Sequence, residues 1–281
     1  MKIGHTGITW GIPGDTEQAY GDTANLGYGS FETFAFTIID WNGKPGGYKA
    51  LVERFGIPTS AAYCFKEWID PEKAAADQEA ARIEADAARD AGASAFVLQG
   101  GSRPAGGLSD DQLAQLGDAL NQIGDYCRSI GLAASLHPHT GTAVETRHDI
   151  DTIMRETDPN LVGFAPDTGQ IAKGGSDIYE VLETYLPRIT HVHLKDWNGH
   201  YEIGEDGKEI DLSGYANYEP IGSGILDMPR ILDILDRSPH DIWVNVELDG
   251  TSRAPRSPYE AARMSREYLG SVLGDRAEWS R

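Results

Sequence analysis

The chain reads as an α/β protein whose strands close into a (β/α)₈ TIM barrel. Three observations predict this: apolar strand-like runs alternate with amphipathic helical runs, the alternation counts to eight pairs, and no shift of composition marks a linker. One barrel domain over residues 1–281 is therefore expected, and a chain of that length can bury a sizeable core.

The elements follow in order. KIGHTGITW (2–10) is the first strand, and Pro13-Gly14 leads into a helix from Asp15 to Leu26. GSFETFAF (29–36) is the second strand; its helix, Tyr48 to Phe55, stops at Gly56 with Pro58 beyond. PTSAAYCF (58–65) is the third, after which Asp70 reads as the cap of a long alanine-rich helix with Pro71 at its first position and a stop at Asp90-Ala91-Gly92. SAFVLQGG (94–101) is the fourth strand, and Ser109 with two aspartates opens a helix to Ile130, ended by Gly131. LAASLHPH (132–139) is the fifth strand, followed by a helix from Glu145 to Glu156, and LVGFAP (161–166) is the sixth, with a helix capped at Ser176 or Asp177. ITHVHLK (189–195) precedes a helix from Met228 to Leu235, and DIWVNVEL (241–248) precedes the closing helix, Pro258 to Leu273. The one long interruption is a loop insertion at about 198–219, where Asp206-Gly207 reads as a hairpin turn.

Composition excludes several classes of function. The formal net charge of −20 repels phosphate backbones and anionic lipid heads, so neither nucleic acid nor a membrane surface is an expected partner. No apolar run reaches the ~18 residues of a membrane span. Met1-Lys2-Ile3 enters a strand without a signal-peptide pattern, and a cytoplasmic protein is expected. Cys64 and Cys127 are the only cysteines, which does not make a disulfide framework, and neither reads as a nucleophile.

The chemistry gathers at strand ends. Side chains alternate across a barrel strand, so His191, His193 and Lys195 share the inward face of the seventh strand, Asn245 and Glu247 that of the eighth, and Ser135, His137 and His139 that of the fifth. Active sites of such barrels lie at the C-terminal ends of the strands. Glu145, Asp167, His193 and Glu247 follow or end four consecutive strands and form a hard, oxygen-rich ligand set, which suits one divalent cation, Mn²⁺ ahead of Mg²⁺ or Co²⁺. Each acid alone reads as readily as a helix cap or ion-pair partner, and Glu145 could simply face the N-terminus of its helix; the joint placement of four ligand types carries the metal reading. His191, deeper in its strand, reads as a hydrogen-bonded interior residue. Trp10, Lys66, Gln99, Gln170 and Trp197 lie at or near strand ends and are candidate substrate contacts, the tryptophans serving equally well as packing residues. Glu32 is open between a substrate contact and a rim residue.

HPHTGTAVET, DTGQ, HVHLKDW, PIGSGILD and VELDG together resemble the xylose isomerase-like barrel superfamily of sugar isomerases and epimerases, with the nearest likeness to inosose dehydratases. The likeness is strongest over about 132–250. It implies a metal held at the ends of the last four strands by the residues matching Glu145, Asp167, His193 and Glu247, and small keto-sugars or keto-polyols as substrates. Many relatives carry a histidine where this chain has Gln170, a change that, with the acidic charge, speaks against the DNA-repair branch.

A divalent ion chelating a carbonyl and its neighbouring hydroxyl acidifies the α-proton and stabilises the enediolate. His139, His137, Glu145 and Glu247 are the candidate bases, His139 ahead of His137, and Lys195 could neutralise the oxyanion or protonate a leaving group. A leaving group β to the carbonyl makes the enzyme a lyase, with inosose dehydration the leading expectation. The alternatives are β-elimination from a 3-oxo-glucoside, as in C-glycoside deglycosylating enzymes with a smaller partner subunit, a ketose epimerase or isomerase, and a noncatalytic sugar-binding barrel. Tyr201, Tyr215 and Tyr218 make the insertion contact-prone, so it is expected to close over the substrate or to be covered by another subunit, in a homo-oligomer or a complex with a smaller subunit.

Overall fold

The computed structural model describes residues 1–12, 14–201, 217–249 and 256–279. Its strands are β1 (Lys2–Thr6), β2 (Phe31–Phe34), β3 (Thr59–Phe65), β4 (Ala95–Gln99), β5 (Ala133–His137), β6 (Val162–Phe164), β7 (Val192–Leu194), β8 (Asp196–Trp197), β9 (Tyr218–Glu219) and β10 (Trp243–Val246). Eight of them form one parallel sheet in the order β6-β5-β4-β3-β2-β1-β10-β7, while β8 and β9 pair as a short antiparallel ribbon. The sheet curls until its edges meet. No ladder joins β6 to β7, but isolated parallel bridges link Phe164 to Ile189 and Asp167 to His193, and the His193 amide donates to the Pro166 carbonyl at 3.0 Å. The Thr168 hydroxyl reinforces this seam by donating to the Lys195 carbonyl at 2.6 Å while receiving the Lys195 amide at 2.8 Å.

The outer layer comprises α1 (Thr16–Asn25), α2 (Ala35–Asn42), α3 (Gly47–Phe55), α4 (Ala74–Asp90), α5 (Asp110–Ser129), α6 (Arg147–Glu156), α7 (Thr168–Lys173), α8 (Ile178–Tyr185), α9 (Met228–Leu235) and α10 (Pro258–Leu273). Helix starts follow local chemistry. Ser109 and Gln112 close a reciprocal capping box on α5, Thr146 and Asp149 do the same on α6, and Asp177, Asp227 and Ser257 cap α8, α9 and α10. The main core lies between helices and sheet, where Phe96, Leu98, Leu116, Leu120, Leu136 and Phe164 are fully buried.

Three expectations are corrected. The second βα connection contains an additional helix, α2, because the continuous apolar run after Phe34 buries Ala35 and Ile38 as a helix rather than prolonging the strand. The alanine-rich helix begins at Ala74, not at Pro71: the Asp70 carboxylate accepts from the Glu72 amide and its carbonyl from Lys73 and Ala74, which closes a separate turn before α4. Asp167 caps a short helix, α7, that the sequence did not suggest. The expected hairpin at Asp206-Gly207 and Tyr215 lie outside the described residues. No helix among the described residues is long and apolar enough to cross a membrane.

Under the barrel mouth, His5 is wholly buried, edge-on to Trp10 and Tyr28 at ring-centroid distances of 5.2 and 4.8 Å. Burial lowers its pKa to about 4, against an ordinary 6.5, and its hydrogen bond to the Thr6 carbonyl only partly offsets that. The folded protein therefore keeps His5 neutral over a range in which the unfolded chain takes up a proton. Stability present above pH 6.5 is lost progressively as the pH falls toward about 4, by about 3 kcal/mol from this group. Denaturant unfolding at about pH 7.5 and about pH 4.5 should show a smaller acid loss in a His5→Asn variant than in the parent; an equal loss would remove His5 as a cause.

Candidate functional site

The end of β7 and the segment after β10 bring His193, Lys195, Glu247 and Asp249 together. Lys195 is fully buried, with its ammonium 2.9 Å from Asp167 Oδ2, 2.8 Å from Glu247 Oε1, and hydrogen-bonded to Asp249. Burial disfavours its charge, but Asp167, Asp249 and Glu247 outweigh this and hold its pKa well above the usual lysine value. Burial likewise opposes ionisation of Glu247, and the charges of His193 and Lys195 prevail, keeping it a carboxylate. The α7 helix passes close to this lysine: a Cβ on Gly169 would sit 2.8 Å from Lys195 Cγ, so only glycine leaves the stem its path.

His193 is held from two sides. Its Nε2 lies 2.8 Å from Glu32 Oε1, and its Nδ1 lies 3.0 Å from Glu247 Oε2. His137, at the end of β5, uses Nδ1 on the Ala165 carbonyl at 3.2 Å, which leaves Nε2 as its unprotonated nitrogen. Burial, with His193 next in effect, depresses the His137 pKa, so the ring is neutral and free to ligate. Asp167 divides its oxygens: Oδ1 receives the Gln170 amide at 2.9 Å as the cap of α7, and Oδ2 points into the site. His137, Asp167 and His193 each offer a ligand atom, all within 4.8 Å of one another. Three of the atoms there, His137 Nε2, His193 Nδ1 and Asp167 Oδ2, are buried without a well-directed hydrogen bond. Burial opposes a charge on His193, but Glu247 and Glu32 outweigh it and hold its pKa well above the usual value, so a divalent cation here would take the place of the Nδ1 proton; His137, Asp167, His193 and Glu247 are the residues that could hold it.

Glu145 lies outside this group of three. It stands beyond the turn at Gly141, where its carboxylate receives the Gly141 amide at 3.1 Å and lies 3.3 Å from Arg103 Nε. Arg103 also binds Asp149 at 2.8 Å, which ties Glu145 and the start of α6 to the same guanidinium. His137, from the strand itself, is the residue of this region that lies with Asp167 and His193.

Other expected residues divide in the same way. His139 and Gln99 line a cavity of about 240 Å³ above the cluster, together with Glu32, Tyr63, His137, His193, Glu247 and Asp249. Gln170 stands behind it: its amide nitrogen reaches His139 Nε2 at 2.8 Å and Asp249 at 3.3 Å, and its oxygen accepts from Tyr218 at 2.6 Å and from Thr140. His139 Nδ1 lies 2.6 Å from the Thr140 carbonyl, so Nε2 is its bare nitrogen. Lys66 and Trp10 are not brought to the cavity. Lys66 pairs with Glu84 of α4 at 2.6 Å, because the end of β3 turns it toward the helical layer, and the Trp10 indole donates to Asp22 of α1 at 2.9 Å. Trp197 packs with Tyr218, Leu248 and Ala261 beside the cavity. Glu32, Tyr63 and Asp249 line the cavity without a role assigned from the sequence. Asp249 follows Glu247 by two residues, and Tyr63 stacks on His193 at a centroid distance of 6.1 Å. The period-two alternation that singled out Glu247 also placed Asp249 on the same face, and was a usable signal for it.

Comparison with known proteins follows this geometry. The chain is 28% identical to the inosose dehydratase of Geobacillus kaustophilus (strain HTA426) over an alignment 301 positions long, covering 97% of this chain and 95% of that one. It is 31% identical to the inosose dehydratase of Lacticaseibacillus casei over 169 residues, 59% of this chain and only 56% of that relative's length. The fold superposes on a crystal structure of the IolI protein with a bound zinc atom at a TM-score of 0.80 and 17% identity, covering 98% of this chain and 99% of that one. With residues 21–269 matching the family model, the chain belongs to the xylose isomerase-like TIM barrel family.

Proposed function

We propose that this chain is a divalent-metal-dependent lyase that acts on an oxidised cyclic polyol or sugar, taking the proton α to a ketone and eliminating the oxygen substituent β to it, as an inosose dehydratase does. The observation that carries the reading is the burial of His137, Asp167 and His193 with one ligand atom each within 4.8 Å of one another, next to Glu247, which lines the cavity with the two histidines. A divalent ion held by these residues would supply Lewis-acid polarisation of the ketone, which acidifies the neighbouring C–H. Mn²⁺, Mg²⁺ and Co²⁺ all suit the donor set.

The chain's own groups supply the rest. His139 lines the cavity, and its unprotonated Nε2 takes the α-proton once the contact with the Gln170 amide gives way, its other nitrogen being committed to the Thr140 carbonyl. Gln170, which reaches that Nε2, holds the ring neutral and aimed until a substrate arrives. Lys195 is too strongly held by its carboxylates to give up a proton and serves as a fixed positive charge toward the developing oxyanion. As the electron pair from the broken C–H bond forms the C=C bond, the β C–O bond breaks. The proton on His139 then passes to the departing oxygen, so that water leaves and the base is restored.

A second reading has one observation in its favour. Above the polar floor the cavity wall is apolar, made by Ile8, Ile12, Phe34 and Phe65, with Phe65 50% and Ile12 45% exposed among the described residues. A 3-oxo-glycoside undergoing the same elimination would place its aglycone against that wall, with the aglycone oxygen or carbon as leaving group. Release of an aglycone from a 3-oxo-glucoside, with no turnover of keto-inositols, would select it.

Two outcomes test the assignment. In equilibrium dialysis with Mn²⁺, His137→Ala should weaken binding at least about tenfold and Glu145→Gln should leave it as in the parent; the reverse order would restore Glu145 as the ligand. With a keto-inositol in deuterated solvent, His139→Ala should retain the metal but lose α-proton exchange by about 10²- to 10⁴-fold. Exchange at the parental rate would exclude His139 as the base.

A further inference from the structure

We infer that Glu32 is a positioning residue that sets which nitrogen of His193 faces the candidate cation, a role resting on the reading above that His193 is a ligand. Glu32 comes from β2, across the barrel from β7, and is buried in the interior beneath the cavity. One carboxylate oxygen lies 2.8 Å from His193 Nε2; the other lies 2.8 Å from His191 Nε2 and 2.7 Å from Asn245 Nδ2. A carboxylate only accepts, so all three neighbours must donate to it. Nε2 of His193 is thereby committed as a donor to Glu32, so Nδ1, 3.0 Å from Glu247 Oε2, is the nitrogen that exchanges its proton for a cation held with His137, Asp167 and Glu247.

The space for this arrangement is built into the sheet. A Cβ on Gly4 would lie 2.1 Å from Asn245 Oδ1, so the glycine in β1 makes room for the amide that steadies Glu32. The same Asn245 Nδ2 also donates to Ser60 Oγ at 2.8 Å, which fixes the amide.

The isosteric change Glu32→Gln tests the role sharply. The glutamine oxygen must take the place that accepts from both His191 and Asn245, because the opposite orientation would set the glutamine NH₂ against the Asn245 NH₂. Its NH₂ then faces His193 Nε2, which must become an acceptor, and the His193 proton is held on Nδ1, where it blocks ligation. Zinc titration of the metal-free proteins by calorimetry should show a loss of affinity of about 10- to 100-fold in Glu32→Gln. Ser60→Ala, which cuts the same polar layer without touching His193, should bind zinc as the parent does.

Histidine ¹⁵N NMR of the zinc-loaded parent gives a second readout that needs no variant, and His193 should appear with Nε2 protonated and Nδ1 bound. Parental affinity in Glu32→Gln, or His193 bound through Nε2, overturns the inference and leaves the proposed function standing. Failure of the parent to bind zinc, Mn²⁺ or Co²⁺ overturns both.

Discussion

The mouth of this barrel depends on a buried ammonium set against three buried carboxylates. Taking Lys195 out of water costs several kcal/mol, and only opposite charge at hydrogen-bonding distance offsets such a cost. Asp167 reaches it from the end of β6, and Glu247 and Asp249 from the end of β10. The requirement to neutralise one charge therefore draws together the ends of three strands at the seam where β6 and β7 share only isolated bridges. The catalytic end and the closure of the barrel are in this sense one problem, solved by the same ions.

Below that layer lies a second polar layer in which Glu32 collects His191, His193 and Asn245. Burial works against the ionised form of Glu32, and the charges and hydrogen bonds of the two histidines overcome it, holding the carboxyl well below its ordinary range. His193 belongs to both layers, bonded below through Nε2 and directed above through Nδ1. A histidine donating one nitrogen to a carboxylate has its ring plane and tautomer set before any ligand arrives, which is how interior structure governs the chemistry above it.

What the sequence determined by itself was local. The alternation of strand and helix depends on apolar periodicity, and α9 and α10 were legible to the residue because Asp227 and Ser257 cap them with a proline in the first turn. Period-two alternation likewise put His193, Lys195 and Glu247 inward at strand ends, since a pleated strand leaves no other choice. The helix α2 escaped this reading because an apolar run without punctuation suits a strand or a buried helix equally, and packing decided between them.

The tertiary structure decided which polar residues meet. Nothing near Glu145 in the sequence announces that it will pair with Arg103, from the preceding βα loop, or that His137 will lie with Asp167 and His193. Nor could the span of Glu32 across the barrel to His191 and His193 be read from residues so far apart along the chain. Backbone propensity acts over a few neighbours and is written in order, whereas the partner of a buried charge is whichever group the closed barrel places within about 3 Å of it.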